Sequence, residues 1–274
     1  MGSYLNPGNF SFKGSLRSKI YVDKSKLIAK TNEALCTEQK YICLSRPRRF
    51  GKSMAANMLA AYYDRSENTE ELFQNLAISK EDSYKENLNQ YDVIKINMQE
   101  FLSMAGTMEE MLGMLKNYLV SDFEETYPEV RFRDEKNLIQ VMKDVFSYTR
   151  CPFVILIDEW DCLFREYKQD KEAQRKYLDF LRVWLKDKDY VAMAYMTGIL
   201  PIKKYGSHSA LNMFTEYSMT DPGDFAEYFG FTEQEVLKLC EKYGMSFEES
   251  KIWYDGYKLV VHQKEKDECY SMYS

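Results

Sequence analysis

Histidine is almost missing from this chain. His208 and His262 stand far apart, which argues against a zinc site. The six cysteines (Cys36, Cys43, Cys151, Cys162, Cys240 and Cys269) form no C-x-x-C pair. Several lie in apolar runs, where a free thiol behaves as a small hydrophobe, so a reduced, cytoplasmic protein is expected rather than a disulfide scaffold. No apolar run approaches the roughly 20 residues that span a bilayer, and no signal peptide opens the chain. Met1-Gly2 is not a myristoylation start, because Asn6 stands where Ser or Thr is required. No membrane partner is expected. Internal repeats and low-complexity tracts are lacking. So is an excess of positive charge: the net charge is −6, which argues against a chain that grips nucleic acid over its whole surface and leaves room only for a local basic patch.

What is present is core-forming material. Hydrophobic residues make up 45% of 274, enough for one large domain or somewhat more. The 22 tyrosines and 16 phenylalanines are not interleaved with Lys or Arg outside residues 43–53, so core packing explains most of them. Strand-like apolar runs occupy 41–44, 92–98, 153–158 and 190–196, with a short fifth near 216–219. Helical patterns lie between them, at 54–63, 70–89, 108–123, 136–146 and 171–186. Uniformly apolar strands separated by helices predict an α/β fold, a parallel sheet covered on both faces. Residues 1–18 read as an extended lead-in, and Asp23 as the N-cap of a helix through Leu27 and Ile28. Beyond about 221 the pattern changes. Thr232 and Glu235 form a capping box, Gly244 stops the helix they open, and 246–253 is helical again. The expected division is a core over 1–220 and a helical subdomain over 221–274, the chain reading as cut before a further domain.

The most informative stretch is Ser45-Arg46-Pro47-Arg48-Arg49-Phe50-Gly51-Lys52-Ser53. It follows the first apolar strand and opens a helix, the layout of a phosphate-binding P-loop. Backbone N–H groups of such a loop and the helix start form a positive cradle for phosphate oxygens. Gly51 allows close backbone approach, Lys52 reaches the terminal phosphates, and the Ser53 hydroxyl can ligate magnesium. Arg48 to Met54 is therefore the expected nucleotide-holding segment: Arg48, Arg49, Phe50, Gly51, Lys52, Ser53 and Met54. Arg46 stands where the general motif has its first glycine. For Arg46, Arg48 and Arg49 two readings stay open: a phosphate clamp or arginine finger, or structural pairing with nearby acids.

A P-loop alone only binds. Asp158 and Glu159 end the most apolar strand, and in an open α/β sheet ligands sit beyond the carboxyl ends of the strands. Asp158 is the expected second metal ligand beside Ser53, and Glu159 the base that polarises the attacking water. Thr197, ending the next strand, is the candidate sensor of the γ-phosphate, or simply a strand-terminal threonine. Asp161 can support the metal's surroundings, cap a helix, or lie at the surface. Lys203 and Lys204 follow in a loop and can approach phosphate or remain solvated.

These residues together resemble the AAA-ATPase-like family of bacteria and archaea. The markers are Tyr21-Val22-Asp23-Lys24, Arg46-Pro47-Arg48-Arg49-Phe50-Gly51-Lys52-Ser53, Ile157-Asp158-Glu159-Trp160-Asp161, Thr197-Gly198-Ile199-Leu200-Pro201-Ile202, Ser209-Ala210-Leu211-Asn212-Met213-Phe214 and Trp253-Tyr254-Asp255-Gly256-Tyr257. The family's own loop carries an arginine at the position of Arg46. The resemblance implies a three-layer P-loop NTPase sandwich with sheet order 5-1-4-3-2, and ATP with Mg2+ as ligands. No N-K-x-D guanine signature argues for GTP. It also implies a following PD-(D/E)XK nuclease-like domain, through which nucleic acid becomes a partner. A homo-oligomer, with an arginine supplied by a neighbour, stays open.

The expected function is a magnesium-dependent ATPase domain that couples nucleotide state to movement of an attached effector, with Lys52, Glu159 and Thr197 as catalytic residues. Two alternatives remain: a non-hydrolysing nucleotide switch, and a small-molecule P-loop kinase.

Overall fold

A computed structural model describes residues 2–202, 211–253, 257–261 and 268–273. Five parallel strands form the main sheet: β1 (Tyr41–Ser45), β2 (Asp92–Asn97), β3 (Phe153–Asp158), β4 (Val191–Gly198) and β5 (Thr215–Tyr217). Their order is β2-β3-β4-β1-β5, which read from the other edge is the expected 5-1-4-3-2. Register places the functional strand ends side by side. Asn97 pairs with Asp158, Leu44 with Thr197, and Ser45 with Gly198.

Alternation of side chains across the pleat makes two cores. Tyr41, Cys43, Ile94, Ile96, Ile155 and Ile157 face one layer of helices, chiefly Met98–Met104, Met108–Thr126, Leu138–Thr149 and Lys171–Leu185. Ile42, Leu44, Val93, Val154 and Leu156 face the other layer, which includes α1 (Phe10–Leu16), α2 (Lys26–Ala34) and α3 (Lys52–Tyr63). All six residues of β3 are buried. Full burial of each Val, Leu or Ile stabilises by about 1.5–3 kcal/mol, so the strand that ends in Asp158 is among the most firmly seated in the molecule.

Three local expectations are corrected. The lead-in is not extended throughout, because it contains α1. Phe12 stacks on Phe73 at 5.1 Å and meets the edge of Tyr21 at 6.4 Å, and this apolar anchor docks a helix where composition alone suggested none. Residues 70–89 are not one helix but three short turns, Glu70–Phe73, Ala77–Lys80 and Tyr84–Asn87. The Asp23 carboxylate accepts from Ala77 N at 2.7 Å and the Ser25 hydroxyl from Ile78 N at 3.0 Å, which pulls the chain out of helical continuity. Asp23 therefore does not cap α2; its other oxygen accepts from Ser25 N.

The segment after 221 holds the two expected helices, Glu233–Tyr243 and Phe247–Trp253. The capping box of Thr232 and Glu235 is present, and Gly244 ends the first helix at φ 65°. The segment also holds an antiparallel sheet absent from the sequence reading, β6 (Phe231–Thr232), β7 (Tyr257–Val261) and β8 (Glu268–Tyr273), in the order β6-β8-β7. Its strands are short and one flanks a charged run, so neither length nor alternation announced them. Pairing places Leu259 and Met272 in the same core as α3.

This tail is tied to the P-loop side of the molecule. Lys24 donates to Glu235 at 2.6 Å, and Gly230 N donates to Phe50 O at 3.1 Å. Gly230 has φ 75°, and a Cβ there would lie 2.8 Å from the Tyr273 carbonyl and 3.1 Å from the Phe50 ring. Gly230→Ala is expected to destabilise the chain by about 1–3 kcal/mol through strain and overpacking. Urea unfolding checks this; unchanged stability would mean that the tail is not seated against Phe50.

Candidate functional site: a P-loop and an acidic strand end

The loop between β1 and α3 turns on two left-handed residues, Arg49 at φ 70° and Gly51 at φ 79°. Gly51 is also the N-cap of α3, so the first free N–H groups of that helix open where the loop closes. Lys52 is 6% exposed. Its Nζ donates to the carbonyls of Arg46 at 3.0 Å and Pro47 at 2.9 Å. Burial pushes the Lys52 ammonium below the ordinary lysine range, against the opposing pull of Glu159, Asp158 and Asp161.

Asp158 is where the two distant segments meet. One carboxylate oxygen accepts from the Ser53 hydroxyl at 2.5 Å. The other accepts from the Thr197 hydroxyl and, at 3.0 Å, from Glu159 N. The next residue, Glu159, takes a left-handed turn at φ 53°. This turn carries its carboxylate to Arg165, whose Nη2 lies 2.5 Å from Oε2. A cleft of about 680 Å3 opens here, lined by Arg48, Lys52, Ser53, Asn97, Glu159 and Arg165, among others. A smaller, mostly apolar cavity of about 150 Å3 adjoins it, lined among others by Tyr21, Phe50, Gly51, Met54 and Tyr228.

This geometry, a lysine-bearing loop facing an acidic strand end, is matched by sequence. The family model described as "Predicted AAA-ATPase" matches residues 11–207. The chain belongs to this AAA-ATPase family. It is 25% identical over 248 residues to the "Uncharacterized protein in vnfD 5'region" of Azotobacter chroococcum mcd 1. That alignment covers 86% of this chain and 45% of the relative, so the chain spans less than half of the relative's length. Among solved structures it is similar to the Aeropyrum pernix ORC1 protein in complex with DNA, at 11% identity and a TM-score of 0.47, over 89% of this chain and 55% of that one.

Within this AAA-ATPase domain the three arginines separate. Arg46 N donates to Gly198 O at 3.0 Å, extending the sheet. Its guanidinium is fully buried. It turns away from the cleft, donating to the carbonyls of Ser45 at 3.0 Å and Tyr217 at 2.8 Å, and lies 5.5 Å from the centre of the Phe229 ring. Burial pulls its pKa down to about 10. Arg48 and Arg49 are exposed and line the cleft. None of the three pairs with an acid among the described residues. Phe50 is buried beneath the loop, and Met54 is 44% exposed at its mouth.

Asp161 is neither a surface residue nor a hydrogen-bonding cap. It is fully buried and accepts from Ile199 N at 3.0 Å and Leu200 N at 2.7 Å, holding the turn after β4 against the turn after β3. Gly198 is needed at this crossing, since a Cβ would lie 2.7 Å from Trp160 Nε1 and 2.9 Å from Asp161 Oδ1. Lys203 and Lys204 lie outside the described residues, as do Ser209, Ala210 and Tyr254 to Gly256 of the motifs.

Sequence reasoning missed Asn97, Gln99, Arg165 and Glu166, which also line the cleft. The strand-end rule that found Asp158 reaches Asn97 equally, because Asn97 is its register partner. Its side chain caps the following helix, accepting from Gln99 N and Glu100 N. Arg165 had a fainter signal, its (i, i+4) spacing from Asp161.

The buried Arg46 predicts that the general motif's glycine is wrong for this loop. Arg46→Gly is expected to cost about 2–4 kcal/mol, a large-to-small loss with a cavity against Phe229. Chemical denaturation measures it; a variant as stable as the parent would contradict a structural role for Arg46.

Proposed function

We propose that this domain binds ATP with magnesium, hydrolyses it, and transmits nucleotide state to an attached effector. The observation that carries this reading is the Ser53–Asp158 hydrogen bond beside Lys52. It brings an anion cradle and a pair of acids to one point. The oxygens of Ser53 and Asp158 are hard donors of the kind Mg2+ takes. Among the described residues no group of three His, Cys, Asp or Glu side chains is arranged to hold a metal ion, so the remaining ligands suit substrate phosphate and water. When bound, the ion would neutralise phosphate charge.

The residues have separable tasks. Lys52 exchanges its bonds to the Arg46 and Pro47 carbonyls for bonds to terminal phosphate oxygens. The N–H groups at the start of α3 donate to phosphate. Glu159 takes a proton from water as the water oxygen bonds to the γ-phosphorus. The bond from that phosphorus to the bridging oxygen breaks, and ADP leaves with the electron pair. Thr197 shares Asp158 with Ser53 and so responds when Ser53 is recruited elsewhere. The apolar cavity beside Gly51 and Met54 suits a base, and the absence of N-K-x-D favours adenine. Coupling is supported by the contacts of Gly230 with Phe50 and of Phe229 with Arg46, since both join the loop to the tail. A nuclease-like effector, and nucleic acid through it, is the extension that the family resemblance suggests.

A second reading, a switch that binds without turnover, has one observation in its favour: the carboxylate of Glu159 is engaged by Arg165. Kinetics separates the two. Under the hydrolytic reading Glu159→Gln lowers phosphate release about 10²-fold or more while ATP still binds; a flat rate supports the switch. Calorimetry with magnesium tests the site itself. Lys52→Ala is expected to weaken ATP binding at least about tenfold, given charge-assisted bonds worth about 1.5–3 kcal/mol, and chelation by EDTA is expected to abolish turnover. Equal affinity in the Lys52 variant would remove the P-loop assignment.

A further inference from the structure

Arg165 is the least explained charge in the cleft. It sits six residues after Glu159 on the short helix Cys162–Glu166, with its side chain 17% exposed. Three groups surround the guanidinium. Glu159 Oε2 lies 2.5 Å from Nη2, Gln99 Oε1 lies 3.2 Å from the same nitrogen, and Asp161 Oδ1 lies 3.7 Å from Nε. Among the described residues all its hydrogen bonds run through Nη2 alone, and Nε makes none. A guanidinium carries five N–H donors in a planar fork that matches phosphate oxygens. Nε is buried beside Asp161 and Nη2 is engaged by Glu159 and Gln99, which leaves Nη1 as the end of the fork without a hydrogen bond among the described residues, and the side chain lines the same cleft as Lys52 and Ser53.

Resting on the ATPase reading above, we propose that Arg165 binds the γ-phosphate from within the same chain and thereby releases Glu159. One of the two carboxylate oxygens of Glu159, Oε2, is covered by this guanidinium, and an adjacent positive charge makes a carboxylate a weaker base. A terminal phosphate carries more negative charge than one carboxylate, and it offers several acceptors to the fork. Arg165 therefore partitions between Glu159 and the γ-phosphate. Shifting toward phosphate does two things at once: it places positive charge where charge develops in phosphoryl transfer, and it uncovers the base. Gln99 holds the guanidinium at the cleft wall in either arrangement. A diphosphate has no γ-phosphate to draw the arginine off, so the site distinguishes ATP from ADP without an arginine from a neighbour.

The test compares Mg-AMPPNP and Mg-ADP binding by calorimetry, together with steady-state turnover, for the full chain, Arg165→Ala, Arg165→Gln and Arg165→Lys. Expected for the alanine and glutamine variants is a loss of AMPPNP affinity of about tenfold or more, with ADP affinity within about twofold of the parent. Their kcat should fall by about 10² or more, within the range set by single arginines in phosphoryl transfer. Lysine should restore part of both. The glutamine variant keeps most of the packing and carries the test if alanine unfolds. Affinity for both nucleotides falling together, neither changing, or turnover rising would each overturn the proposal. ADP binding by the parent reports on the P-loop independently. If the parent binds neither nucleotide, the ATPase reading itself fails; if it binds both and the Arg165 variants match it, only the role of Arg165 fails.

Discussion

The Asp158 carboxylate is the constraint on which the rest of the site depends. It accepts hydrogen bonds from Ser53 at the start of α3, from Thr197 at the end of β4, and from the backbone of Glu159. Two of these donors, Ser53 and Thr197, come from elements far from Asp158 in sequence, and the third is its neighbour. A buried carboxylate is costly unless its lone pairs are filled, and here both oxygens accept hydrogen bonds. Under the proposed function, the groups that fill them are also those the chemistry uses. The same bonds that stabilise Asp158, which is 5% exposed, hold the hydroxyls of Ser53 and Thr197 and the backbone of Glu159 around one carboxylate.

Around this point the cationic groups are held by the protein's own acceptors. Lys52 rests on two loop carbonyls, and Arg165 on Glu159 and Gln99. Under the proposed function, a polyanionic nucleotide competes for each of them. Arg46 works differently. It is turned inward, bonded to Ser45 and Tyr217 and packed over Phe229, so it joins the P-loop to the edge strand and the tail. Its position in the motif identifies the loop, while its side chain serves the scaffold.

Much of this was legible in the residues, for physical reasons. Three of the strands that read clearly, 41–44, 153–158 and 190–196, lie in segments buried on both faces, where apolar runs have no competing explanation, and 92–98 read through despite a half-buried Lys95 and an exposed Asn97. Asp158, Glu159 and Ser53 were recoverable because strand ends and a helix start fix their location before any packing is known. The capping box of Thr232 and the stop at Gly244 were readable because they are local. What was not legible depends on long-range partners. The helix at Phe10–Leu16 is held by Phe73, the turns at 70–89 by Asp23 and Ser25, and the tail sheet by pairing between segments. Arg165 belongs with these. Its distance from Asp161 hinted at a helix face, but nothing in the sequence aimed it at Glu159.

The most direct test of the central claim is a crystal structure with magnesium and AMPPNP. Expected are triphosphate density cradled by residues 48–54, Lys52 Nζ moved from the Arg46 and Pro47 carbonyls to phosphate oxygens, and the metal between Ser53 and Asp158. Nucleotide bound away from this loop, or Lys52 still on its carbonyls beside a bound triphosphate, would contradict it.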